Sequence, residues 1–91
     1  MFCLLSYITT AKISSGTLSN MNKYWPTCVA GNTNHDFWDH EWSKHGTCSG
    51  MSQNDYFTEG ISLFQKYSSK CSSDCYVCLT PTFGYIGVGV C

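Results

Sequence analysis

Phe37-Trp38-Asp39-His40-Glu41-Trp42-Ser43-Lys44-His45-Gly46-Thr47-Cys48 gathers most of the ionisable chemistry of this 91-residue chain. Between positions 40 and 45 stand two imidazoles, a carboxylate and an ammonium. Neighbouring titratable groups shift one another's pKa values, so such a cluster needs a structural reason to exist. On a helix at 100° per residue, His40, Lys44, Glu41 and His45 fall at about 0, 40, 100 and 140°, with Trp38 and Trp42 at about 160 and 200°. One face is ionisable, and the adjoining face carries two indoles that can bury and hold the polar groups along the wall of a cleft. The expected helix starts near Phe37, takes Asn34 or Asp36 as its N-cap, and stops at Gly46.

Outward from this segment, Gly31-Asn32-Thr33-Asn34 is a turn, and Trp25 before Pro26 is biased to an extended or turn conformation. Residues 9–20, rich in Ser, Thr, Gly and Asn without a clear period, read as loop or poorly ordered chain. On the other side, Phe57, Ile61 and Phe64 recur at helical spacing and predict a second helix over residues 54–67, capped by Ser52 or Asn54. Beyond it, Ser68 to Cys75 is linker-like. The run from Thr82 to Val90 is an apolar strand candidate weakened by Gly84, Gly87 and Gly89.

A chain of this length holds one domain at most and buries only roughly 60 to 65% of its unfolded surface. Seven cysteines, at positions 3, 28, 48, 71, 75, 78 and 91, point to an oxidising compartment in which disulfides supplement a small core. The odd number leaves a thiol over. A net charge of −1 with 12% charged residues excludes the broad basic surface that grips long nucleic acid, so any RNA contact is local. No apolar run approaches the ~20 residues of a membrane-spanning helix, and the chain reads as soluble. Met1 to Ile8 is apolar, but no basic residue precedes it and Thr9-Thr10-Ala11 is a poor cleavage signature for a signal peptide.

Metal chemistry fits this pattern poorly. His40 and His45 are five apart, whereas the zinc-protease helix needs its two histidines four apart on one face, and Lys44 would put a cation beside the metal. Cys71, Cys75 and Cys78 have ligand-like spacing, yet in an oxidising compartment such thiols are more often disulfides. The plain alternative for His40, Glu41, Lys44 and His45 is a solvated helix face with ordinary i, i+4 pairs. Two tryptophans beneath it, Gly46-Thr47-Cys48 after it and the scarcity of charge elsewhere favour a site. Imidazole titrates near neutral pH, and a phosphoryl transition state needs cationic donors aimed at its oxygens.

The stretch from His40 to Cys48, preceded by Phe37-Trp38, resembles the second active-site segment of the ribonuclease T2 family, which includes plant extracellular and self-incompatibility ribonucleases. Met21 to Pro26 is similar to the stretch upstream in plant members, and Tyr56-Phe57 with its helix is similar to the one that follows. The likeness covers about residues 18–67, leaving 1–17 as a poorly ordered or non-family segment and 68–91 as a Cys/Gly-rich tail. It implies an α+β fold, an antiparallel sheet with packed helices, here truncated and mainly helical over residues 36–67.

The resemblance also implies roles. His45 is a catalytic histidine exchanging protons with the ribose 2′-hydroxyl and the leaving 5′-oxygen as a 2′,3′-cyclic phosphate forms. His40 bonds the phosphate, Glu41 and Lys44 stabilise the pentacovalent state, and Trp38 joins His40 and Lys44 in binding substrate. Cys28 pairs with Cys48, a link of ~20 residues worth about 3 kcal/mol by loop entropy; the other cysteines stay unassigned. The implied substrate is single-stranded RNA, handled by a monomer with no metal, no cofactor and no membrane, in a secreted, vacuolar or endomembrane setting. The family's first active-site segment, of His-Gly-Leu-Trp-Pro type, has no counterpart in residues 1–20, which contain no histidine. The chain therefore reads as a fragment with impaired catalysis, and His35 is its only spare imidazole. The alternative is an inactive nucleotide-binding module or a structural disulfide-rich fragment.

Overall fold

The computed structural model describes residues 8–70, 77–79, 82 and 85–88. They are mainly helical: α1 runs Ser15–Tyr24, α2 Asn34–Lys44 and α3 Gln53–Tyr67, with single 3-10 turns at Thr10–Lys12, Gly46–Cys48 and Ser68–Lys70. The chain divides into two compact units, Met1–Ile61 and Ser62–Cys91. No helix among the described residues is long and apolar enough to cross a membrane.

In the first unit, α1 corrects the expectation of loop over residues 9–20. Ser14 caps it, its side chain accepting from the Thr17 N–H at 3.1 Å. Its buried side is Leu18, Met21 and then Trp25, an i, i+3, i+7 stripe too sparse among Ser and Asn to stand out as a period. The residues before it are held by side chains. The backbone N–H of Ile8 donates to Asp39 Oδ1 at 2.8 Å, that of Thr9 to Gln53 Oε1 at 2.8 Å, and that of Ser14 to Asn54 Oδ1 at 3.0 Å. Three donors that a strand partner would otherwise satisfy are thus bonded by α2 and α3. Over residues 8–17 the segment is ordered; residues 1–7 lie outside the described part.

Thr33, rather than Asn34 or Asp36, caps α2, with its hydroxyl accepting from the Asp36 N–H at 3.1 Å. Asn34 is occupied elsewhere: its Oδ1 accepts from the Thr27 N–H at 2.9 Å and its Nδ2 donates to Asn22 Oδ1 at 3.1 Å. The helix closes where expected but for a different reason. A Cβ on Gly46 would lie 2.1 Å from Cε3 of Trp42, so glycine is required there for close approach rather than for a left-handed turn. Gly60 plays the same part in α3, where a Cβ would meet the Trp25 ring at 2.5 Å.

Ser52 caps α3, as the sequence allowed, accepting from the Asp55 N–H at 3.1 Å. The core of the unit is Ile8, Ile13, Met21, Trp38, Trp42, Phe57 and Ile61, with Met21 and Phe57 fully enclosed. Phe64, expected on the same stripe, is 52% exposed beyond the last residue of that core.

The second unit holds the end of α3 and an antiparallel pair, β1 Val77–Leu79 and β2 Tyr85–Val88, with Val77 opposite Val88 and Cys78 opposite Gly87. The pairing is irregular between Cys78 and Leu79. Cys78 is disulfide-bonded, which removes its thiolate from the zinc array considered above; Cys71 and Cys75 lie outside the described residues.

Candidate active site

The end-capped, eleven-residue α2 carries the ionisable cluster. Its inner side is fixed by Trp38 and Trp42, only 4% and 7% exposed. The indole N–H of Trp38 donates to the Trp25 carbonyl at 2.8 Å, tying the helix to the end of α1. His40, Lys44 and His45 are exposed and Glu41 is half-buried. The division into an indole face and an ionisable face is the one projected from the spacing, because a helix that buries two residues four apart must turn the intervening ones outward.

His45 sits at the point where the helix ends, its N–H donating to the Glu41 carbonyl at 3.0 Å. The turn behind it is bonded together. Thr47 Oγ1 donates to the Ser43 carbonyl at 3.1 Å, Ser49 Oγ donates to the Gly46 carbonyl, and the Met51 N–H donates to Ser49 Oγ at 3.1 Å. With Gly46 pressed against Trp42, the backbone on both sides of His45 is defined. Lys44 lies in the last turn, where the helix dipole favours a cation.

Two expectations do not survive. Cys28 is a free, exposed thiol in the loop between α1 and α2, whereas Cys48 is disulfide-bonded, so the two do not pair with each other. Trp38, offered as a substrate contact, is enclosed in the core with its N–H committed to Trp25, leaving no ring face for a ligand.

His35 stands at the other end of α2, its Nδ1 3.2 Å from Asp39 Oδ2. It is ten residues from His45, roughly 15 Å along a helix axis, so the two imidazoles do not flank one phosphate. His35, Asp36 and Asp39 bring potential ligand atoms within 4.8 Å of one another. They lie in the first turns of the helix, where the dipole opposes a cation, and Asp39 is already engaged by Ile8 and His35.

Tyr56, in the first turns of α3, enters the sequence reading only as part of the stretch that resembles the family, with no role of its own. Its ring is set edge-on to Trp42 at 5.6 Å and to Phe57 at 5.1 Å, and lies tilted to Trp25 at 6.0 Å. Burial pushes its phenol above the ordinary value, and the negative charge of Glu41 adds to that rise. Only the pairing of α2 with α3 brings Tyr56 against Trp42.

The model of the ribonuclease T2 family matches residues 2–78. The chain belongs to this family. The match extends beyond residues 18–67 on both sides, taking in residues 2–17 and 68–78. Among relatives, ribonuclease 3 of Arabidopsis thaliana is 46% identical over 55 residues, covering 57% of this chain and 25% of the relative. Ribonuclease T2 of Sus scrofa is 40% identical over 58 residues, 56% of this chain and 29% of the relative. Ribonuclease T2 of Danio rerio is 31% identical over 70 residues, 71% and 29% respectively. The chain thus spans about a quarter of the length of the T2 ribonucleases it matches. No solved structure matches it.

Proposed function

We propose that this chain carries the second active-site segment of a T2-type endoribonuclease that cleaves single-stranded RNA through a 2′,3′-cyclic phosphate. A base takes the proton of the ribose 2′-hydroxyl, its oxygen attacks phosphorus, the bond to the 5′-oxygen breaks, and an acid returns a proton to that oxygen. His45 performs one of the two transfers, since an imidazole nitrogen can accept a proton in one step and return it in another. Exposed His40 and Lys44 meet the phosphate, and Glu41 with Lys44 stabilises the pentacovalent state. The whole domain is expected to be an α+β fold with helices packed on an antiparallel sheet, monomeric, metal-free, and secreted or vacuolar.

The observation that carries this reading is the exposure of His40, Lys44 and His45 on the outward side of a helix whose inner side is locked by Trp38 and Trp42, within the span of the family match. Incubation of the purified chain with single-stranded RNA should yield cyclic-phosphate ends, and His45→Ala should remove them. Equal product from both would overturn it. Losing one member of an acid–base pair commonly removes ~10² to 10⁴-fold of rate, so turnover is expected to be slow.

A second reading follows from the histidine count. The chain has three, and His35 is too far along α2 to complete the pair with His45. It is a phosphate-facing module that binds nucleotides without cleaving them. Nucleotide binding abolished by Lys44→Ala, with no cyclic-phosphate product, distinguishes it from the first.

A further inference from the structure

We propose that Ser49 is a positioning residue for His45: bonded to Gly46 and Met51 at once, it closes the turn that sets the direction in which the His45 side chain leaves the backbone. The inference deepens the ribonuclease reading above and rests on it for its chemical purpose.

His45 is where α2 stops being a helix. Its N–H still donates to the Glu41 carbonyl at 3.0 Å, but its φ of −127° departs from the helical value of about −63°. Rotation about the N–Cα bond swings Cβ and the following carbonyl carbon together. The departure of the imidazole therefore follows the path the chain takes after residue 45, and helix periodicity no longer dictates it. Whatever holds the Gly46–Cys48 turn fixes where the His45 side chain starts from.

Ser49 contributes three hydrogen bonds to that turn. Its N–H donates to the Gly46 carbonyl at 3.0 Å, its hydroxyl donates to the same carbonyl, and its hydroxyl oxygen accepts from the Met51 N–H at 3.1 Å. Between the two bonded partners stands Gly50, left-handed at φ +76°. A single 3-10 turn has poor hydrogen-bond geometry and no further turns to share the cost of ordering it, so side-chain bonds decide how firmly it is held. The opposite side of the turn is already restrained. Gly46 lies against the Trp42 ring without room for a Cβ, and Thr47 Oγ1 donates to the Ser43 carbonyl at 3.1 Å. Ser49 completes the enclosure from the α3 side. It is itself exposed, so replacing it removes hydrogen bonds without opening the core.

The test uses the full chain and separates this claim from the ribonuclease reading. In NMR spectra with the His45 imidazole signals assigned through His45→Ala, Ser49→Ala should shift and broaden those signals. His35, at the far end of α2, should keep its wild-type position, and Ser49→Thr, which retains the hydroxyl, should restore His45. Unchanged His45 signals in Ser49→Ala overturn the proposal, and so does an equal disturbance of His35, which would mean that the whole helix has given way. Hydrogen exchange on the wild-type chain provides a measurement that needs no variant. The Met51 amide should be protected, and exchange at the rate of a free chain overturns the bond to Ser49. In cyclic-phosphate formation, Ser49→Ala should lower kcat about tenfold and leave KM nearly unchanged, as expected when a reacting group is misplaced and the phosphate contacts remain. A rise in KM with kcat intact overturns the proposal. A chain whose His45 signals respond to Ser49 but which forms no cyclic phosphate retains the positioning and overturns the ribonuclease reading instead.

Discussion

Trp38 Nε1 donates to the carbonyl of Trp25 across 2.8 Å, whereas Trp42 Nε1, four residues along the same helix, is buried with no hydrogen-bond partner among the described residues. The two indoles are similarly enclosed, so they differ chiefly in one bond. Replacing Trp38 by Phe strands a backbone carbonyl, at a cost of roughly 1 to 3 kcal/mol beyond the lost packing. Replacing Trp42 by Phe discards an unsatisfied donor. Thermal or denaturant unfolding should find Trp38→Phe the more destabilising, and the opposite order would show that the Trp25 bond contributes little.

Gly46→Ala should be destabilising although alanine favours helix. The added Cβ would meet three atoms of the Trp42 ring, all closer than 3.0 Å, and that ring is held in the core. Overpacking of this kind costs about 1 to 3 kcal/mol. His45 immediately precedes the strained residue, so cleavage or nucleotide binding should fall together with the unfolding midpoint. An alanine variant as stable as wild type would mean that Trp42 moves aside easily.

Folding raises the Tyr56 phenol above its unfolded value of 10.0, through burial first and the Glu41 charge second. The folded chain therefore keeps a proton that the unfolded chain has begun to lose. This contribution to stability is fully present below pH 10 and is lost as pH rises through the higher folded value. Unfolding free energy should decline across that alkaline window, and Tyr56→Phe should flatten the decline. A variant with the same slope as wild type would remove Tyr56 as its source.

Cys28 is exposed and free, and Cys48 is disulfide-bonded. Alkylation of the oxidised chain without reductant, followed by peptide mass mapping, should modify Cys28 and spare Cys48. Protection of both would restore a link between them.

The cap of the site helix offers a local test. Thr33→Ala removes the acceptor of the Asp36 N–H and should cost about 1 kcal/mol, measured as a shift in denaturant midpoint. Thr33→Ser, which retains the hydroxyl, should recover most of it.

What the sequence determined by itself is periodic or contiguous. The alternation of indoles and ionisable groups from Trp38 to His45 is enough to define a helix, its buried side and its outward side. Phe57 and Ile61 do the same for α3, and Ser52 marks its start. These features are local because helix geometry repeats every few residues, so the side chains that share a face are close in sequence. Tertiary structure decided the rest. The order of residues 8–14 depends on side chains of Asp39, Gln53 and Asn54, which are 31, 44 and 40 residues from the backbone groups they bind. The same holds for the bond from Trp38 to Trp25, the freedom of Cys28, and the approach of Tyr56 to Trp42. Hydrogen bonds and aromatic contacts between distant segments leave no period in the chain, and they exist only once α1, α2 and α3 have enclosed Met21 and Phe57 between them.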